Sequence, residues 1–145
     1  FLNFVKTKYD LKEQDIKKLP QSKGLKIPLS IFNETLGPLE SIVKYLKEDI
    51  KLSYEEIAKL LYRTKSPIVA TYKNSVKKFK EKLDTKSDFF VPISIFSSLK
   101  LSILEAIVKY MKDDLKLTYH NIAVLLKRDD RTIWTIYSRS LKKNA

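Results

Sequence analysis

The chain contains no cysteine. That excludes disulfides, thiolate zinc sites and cysteine nucleophiles. Glycine occurs only at Gly24 and Gly37, and neither position makes a phosphate-cradling loop. No apolar run approaches the ~20 residues of a membrane span, no signal-peptide pattern is visible, and no membrane partner is expected. Histidine occurs once, at His120, with no cluster around it for a metal or a proton relay. Two pairs of acids, Glu40 with Glu105 and Asp49 with Asp114, recur between the halves of the chain. Repetition of that kind points to helix-surface ion pairing rather than to an acid–base site. No catalytic residue, metal or cofactor is therefore expected, and the chain does not read as an enzyme. Nothing points to secretion, so a cytoplasmic or nucleoid-associated location is the expectation.

What the chain has in excess is positive charge. Its 145 residues carry 29 Lys+Arg against 17 Asp+Glu, a formal charge of +12. Such an excess favours polyanionic partners, nucleic acid first among them. Lysine supplies 25 of the 29 cations, a bias that an AT-rich coding sequence could also produce. The distribution of charge is therefore more informative than its total.

The chain also states nearly the same thing twice. Leu39–Leu61 reads LESIVKYLKEDIKLSYEEIAKLL and Leu104–Leu126 reads LEAIVKYMKDDLKLTYHNIAVLL, with 15 of 23 pairs identical. The segments that follow diverge: Tyr62–Lys78 and Lys127–Lys143 share 6 of 17. A fixed frame followed by a variable helix suggests one scaffold presenting two different reading surfaces. The organisation expected is an N-terminal helix and linker over 1–26, a first domain over 27–83, a linker over 84–90 and a second domain over 91–145. Units of about 55 residues bury little surface and are marginal alone, so the two are expected to lean on each other or on the flanking helix. The leading segment Phe1–Leu19 reads as a packing helix or as the tail of an upstream copy.

A period of 3.6 residues dominates, and the fold class expected is all-α, two tandem three-helix units. In the first copy Leu36, Leu39, Ile42, Val43 and Leu46 share a helical face, entered at Gly37-Pro38. Leu101, Leu104, Ile107, Val108 and Met111 match it in the second copy. A second helix starts at Ser53, where Glu56 completes a capping box. Its counterpart starts at Thr118, with Asn121 in place of the acid. A third helix is expected from a Ser66 cap and Pro67 to about Leu83, with Ile68, Tyr72, Val76, Phe79 and Leu83 inward. In the second copy Asp129 or Asp130 is the expected cap, with Ile133, Ile136, Tyr137 and Leu141 inward. Two hexamers, Ile27–Phe32 and Val91–Phe96, precede the copies as short helical turns or as extended arms.

Two short helices joined by a tight turn, the second one basic, describe a DNA-reading helix-turn-helix. Such a motif needs a small residue where the helices cross, supplied by Ala58 and Ala123. It also needs an apolar anchor ten positions on, supplied by Ile68 and Ile133. After the second Leu pair such motifs often have glycine; Tyr62 and Lys127 stand there and predict a longer or differently shaped turn. Charge segregates accordingly. Leu39–Glu56 carries 3 Lys against 5 acids, whereas Tyr62–Leu83 carries 7 Lys+Arg against Glu81 alone. Leu104–Asn121 balances 3 against 3, whereas Lys127–Ala145 carries 6 against 2. A uniform compositional bias would not place cations on the one helix that should meet phosphates.

LSYEEIAKLLYRTKSPIVATYKNSVKK and LTYHNIAVLLKRDDRTIWTIYSRSLKK resemble the helix-turn-helix of sigma-factor region four and related homeodomain-like regulators. The resemblance covers 27 residues in each copy. It implies double-stranded DNA as partner, with no polymerase contact inferred. The outward residues at the start of each third helix are the candidates for base contacts. These are Thr64, Lys65, Ser66, Val69, Ala70, Lys73 and Asn74 in the first copy, and Arg131, Thr132, Thr135, Ser138 and Arg139 in the second. Arg131 or Arg139 suits guanine and Asn74 suits adenine. Arg63, Lys77, Lys78, Arg128, Lys142 and Lys143 are candidate phosphate contacts, which position without specifying. Trp134 could contact DNA, but an aromatic beside Ile133 reads more readily as core or interdomain packing. Because the two surfaces differ, non-identical half-sites are expected, bound by a regulator that could act as a monomer with an internal pseudo-repeat. The alternatives are an architectural or recombinase-associated DNA-binding module, or a helical protein-interaction module.

Overall fold

The computed structural model describes residues 24–97 and 100–143. The expected leading helix over Phe1–Leu19 lies outside the described residues. Among the described residues six α-helices dominate: α1 Pro38–Glu48, α2 Tyr54–Leu60, α3 Lys65–Lys78, α4 Ile103–Asp113, α5 Tyr119–Leu126 and α6 Asp130–Lys143. The class is mostly helical, with one addition that the 3.6 period does not show. Lys26–Pro28 (β1) and Phe90–Pro92 (β2) form a two-stranded antiparallel sheet.

Each helix has a local cause. Gly37 precedes α1 in extended conformation, Pro38 takes its first position, and the Glu40 carboxylate accepts the Gly37 N–H at 2.9 Å. Ser102 and Glu105 do the same for α4 with a full capping box. Ser53 and Glu56 cap α2 reciprocally, as the sequence predicts. Thr118 caps α5 through its hydroxyl alone.

The third helices depart from expectation at three points. First, α3 begins at Lys65, one residue before the expected Ser66 cap, and its N-cap Thr64 makes no side-chain bond. Second, α3 ends at Lys78 rather than Leu83, because Phe79 turns to extended backbone (φ −148°, ψ 99°). That break still lets Leu83 reach the core, where it is buried. Third, Leu141 was expected inward and is exposed. Ser140 and Ser75 take the buried positions instead, each hydroxyl donating to the backbone carbonyl three residues back.

The turns between the second and third helices are short. Tyr62 (φ 59°) and Lys127 (φ 58°) take left-handed backbone. Arg63 N–H reaches back to Ala58 O at 2.9 Å and Arg128 N–H to Ala123 O at 3.0 Å. This is the helix-ending closure usually built on glycine. The turn has the glycine-type shape despite the absence of glycine, which corrects the longer or differently shaped turn expected. The second and third helices of each copy pack on each other, Ala58 and Ala123 are buried, and Ile68 and Ile133 are fully buried.

The hexamers are both of the things expected of them. Each starts as a strand and continues as a 3-10 turn, Leu29–Ile31 and Ile93–Ser97. Their pairing joins the two copies. Ile27 sits opposite Val91, Lys26 opposite Pro92, and Pro28 opposite Phe90. Ile27 and Val91 are the same position of the repeat, so the axis between them maps each strand onto the other. The flanking bonds obey that axis: Leu29 N–H donates to Phe89 O and Ile93 N–H to Leu25 O, both at 3.0 Å. Packing is exchanged in the same sense. The Leu29–Ile31 turn packs on α5 of the other copy, the Ile93–Ser97 turn packs on α2, and α1 meets α4. The two copies are thus related by a pseudo-two-fold axis, and the apolar residues of both hexamers enter a shared core.

Candidate nucleic-acid interface

Helices α3 and α6 are braced by the same side chains in both copies. Tyr72 Oη donates to Glu48 at 2.9 Å and Tyr137 Oη donates to Asp113 at 2.7 Å. The acids also hold lysines one turn back, Lys44–Glu48 at 2.8 Å and Lys109–Asp113 at 2.6 Å. Tyr54 packs edge-on against Tyr72 with centroids 6.1 Å apart, and Tyr119 against Tyr137 at 6.0 Å. Lys47 and Lys112 lie over the outer rings, Tyr54 and Tyr119. At the far end Lys78 pairs with Glu40 at 3.0 Å and Lys143 with Glu105 at 2.9 Å. The repeated acids Glu40 and Glu105 therefore serve helix pairing, while Asp49, just past the end of α1, faces Lys82, beyond the end of α3, at 3.4 Å.

These bonds shift the groups that make them. Burial, followed by the bond to Glu48, pushes the Tyr72 phenol up to about 12. For Tyr137 the bond to Asp113 acts first and burial second, again up to about 12. Burial pushes Glu40 and Glu105 upward, but the capping N–H groups and the lysine partners outweigh it and leave both lowered. Asp113 follows the same pattern: burial raises it, while Lys109 and Tyr137 together bring it down.

The opposite face of each braced helix is open. Thr64, Lys65, Ser66, Ala70, Lys73 and Asn74 are exposed, with Val69 half-buried. Lys65, Ser66, Val69, Ala70 and Lys73 line one shallow concavity. In the second copy Arg131, Thr132 and Arg139 are exposed, while Thr135 and Ser138 are half-buried. Of the candidate phosphate contacts, Arg63, Lys77, Lys78, Lys142 and Lys143 are exposed and Arg128 is half-buried. The structure thus gathers each candidate set on the third helix of its copy or the turn before it. It gives Lys78 and Lys143 a bracing partner that the sequence did not reveal.

Trp134 corrects an expectation. It is 55% exposed rather than buried as core or interdomain packing. It occupies the repeat position of Val69, so the first copy is concave where the second projects an indole. The signal was available: Val69 already stood among the outward residues, and repeat alignment carries that assignment to Trp134. The helix starts differ too. Lys65 pairs with Glu55 at 2.7 Å across the turn, and the same two repeat positions in the second copy hold Asp130 and His120, at 3.2 Å. Asp129 caps α6 by accepting the Thr132 N–H at 2.7 Å, in the capping role expected.

Among the described residues, no group of three or more His, Cys, Asp or Glu could hold a metal ion. Among them, also, no helix is long and apolar enough to cross a membrane. Comparison with protein-family models, with curated proteins and with solved structures returned no match.

Proposed function

We propose that this chain binds double-stranded DNA sequence-specifically through two linked, non-identical helix-turn-helix units, α2–α3 and α5–α6, and acts as a transcriptional regulator. The observation that carries the reading is a contrast within each third helix. On the inner face Ile68, Tyr72 and Ser75 recur as Ile133, Tyr137 and Ser140, whereas the outer face is largely exposed, carries Lys or Arg in both copies and differs at every candidate base-contact position. Selection for a rigid mount with variable display is what base reading in a major groove requires. The amide-bearing Asn74 and the fork of Arg139 occupy one repeat position, suited to adenine in one half-site and guanine in the other. Lys77 and Lys142 lie a turn further on, where phosphates would be met.

The experiment is titration of the chain with duplexes from a random library, followed by single substitutions at graded salt. Arg139→Ala should weaken the selected site by about 10- to 100-fold and relax preference in one half-site only. Lys77→Ala should weaken all duplexes alike and reduce the salt slope by about one. A library that yields no preferred sequence, or binding indifferent to salt, would overturn the reading.

A further inference from the structure

We infer that the preferred ligand is one duplex carrying two dissimilar half-sites in inverted orientation, at a single fixed spacing, with one copy of the chain centred on it. This rests on the DNA-binding reading above and adds the orientation and spacing of the target. The axis between Ile27 and Val91 relates β1 to β2, and the exchanged turns relate α2–α3 to α5–α6. If both third helices engage one duplex in the same manner, that axis must coincide with a two-fold of the duplex, which runs perpendicular to its length. Two half-sites related in that way are inverted. Direct repeats would need the copies related by a translation and rotation along the duplex, as in modules strung on a free linker.

Fixed spacing follows from how the copies are joined. The segment between them does not hang free: Leu83 is buried, and Ser30 Oγ donates to Asp84 O at 2.7 Å. The Lys127 ammonium of the second copy also donates to Phe32 O of the first, at 3.1 Å. A mount of this kind should hold the two reading helices about one helical turn, or a whole multiple of it, apart. The half-sites are dissimilar because Lys65, Ser66, Val69, Ala70, Lys73 and Asn74 of the first copy correspond in the repeat to Asp130, Arg131, Trp134, Thr135, Ser138 and Arg139 of the second. The target is therefore a palindrome in geometry but not in sequence.

The test is random-duplex selection with the whole chain, followed by binding to the selected site in four forms: as selected, with one half inverted, with two base pairs inserted, and as one half alone. Re-inverting a half or inserting two base pairs should reduce affinity about 100-fold, to that of one half, because the second contact is lost. Equal binding of the direct repeat, or tolerance of the insertion, overturns this inference and leaves the DNA reading standing. Selection of no sequence overturns both. A second selection uses a symmetrised chain carrying Asp130→Lys, Arg131→Ser, Trp134→Val, Thr135→Ala, Ser138→Lys and Arg139→Asn. It should return a palindrome in sequence as well as in geometry, and a tandem direct repeat would overturn the inference.

Discussion

The two copies differ least where each third helix is braced against its own first helix and most on the face of that helix turned away from the brace. Both use a tyrosine on the third helix bonded to an acid on the first, and that acid holds a lysine one turn back. Their outer surfaces share little: a concavity walled by Ser66, Val69 and Ala70 in one, a projecting Trp134 in the other. The third helices also begin differently. Thr64 offers α3 no side-chain cap and its first turn holds no acid, whereas α6 is capped by Asp129 and starts with Asp130. At the start of α3 Pro67 has no N–H to offer and the N–H groups of Lys65 and Ser66 have no side-chain cap, whereas at the start of α6 the Thr132 N–H is taken by Asp129. The brace and the outer surface are thus separable parts of one helix, with different tolerance to change.

The largest effect expected concerns the brace. Lys44 has a fully buried side chain, while its counterpart Lys109 keeps 24% exposure. Removing the partner of a sealed ammonium leaves a charge without compensation; water relieves the same loss at a part-open site. Glu48→Ala should therefore destabilise by about 3 kcal/mol and Asp113→Ala by about half as much. Denaturant unfolding of the two variants measures both. Equal losses would mean that the two braces are energetically equivalent despite their different burial.

The pH dependence sharpens the same comparison from both ends. Tyr72 and Tyr137 have folded pKa values raised to about 12 from 10.0. Their contribution to stability is complete below pH 10 and is lost as pH rises through the folded value. Glu40 and Glu105 are lowered from 4.5, so their contribution is present above that pH and lost as pH falls through the folded value. Stability should be flat between these limits and fall on both sides. Tyr72→Phe and Tyr137→Phe should each remove about 1 kcal/mol at neutral pH, together with part of the alkaline fall. Tyrosinate absorbance followed against unfolding midpoint separates the two rings. An alkaline fall unchanged in the double variant would assign it to other groups.

Much of this frame was legible in the chain itself. The 3.6 period gave α1 and α4, the capping residues gave the start of α2, and the repeat gave the correspondence of the halves. What was not legible depends on contacts distant in sequence. Nothing local in Ile27–Phe32 says that its partner is Val91 rather than its own bundle, because a three-residue strand carries almost no alternation. Phe79 ends α3 without a glycine or proline to announce it. Leu141 matched the helical period of a buried position, yet at the end of α6 it stays 46% exposed among the described residues. Trp134 was assigned inward from residue type, which its repeat partner Val69 contradicts. Lys78 and Lys143 looked like free cations because Glu40 and Glu105 lie 38 residues away from them.

The smallest effect concerns the turns. Tyr62 and Lys127 hold left-handed backbone that disfavours residues with a Cβ by about 1–2 kcal/mol. Glycine removes that strain but loses about 0.5–1 kcal/mol to the freedom of the unfolded chain. At position 62 the replaced side chain is an exposed ring, so Tyr62→Gly should stabilise by about 0.5–1 kcal/mol. At position 127 the replaced ammonium bonds Phe32 O across the copies, so Lys127→Gly should gain less or nothing. The two midpoints, measured side by side, report what that single bridge contributes. A larger gain at 127 than at 62 would show that the Lys127 tether adds nothing to the joining of the copies, leaving the paired strands and exchanged turns to hold them alone.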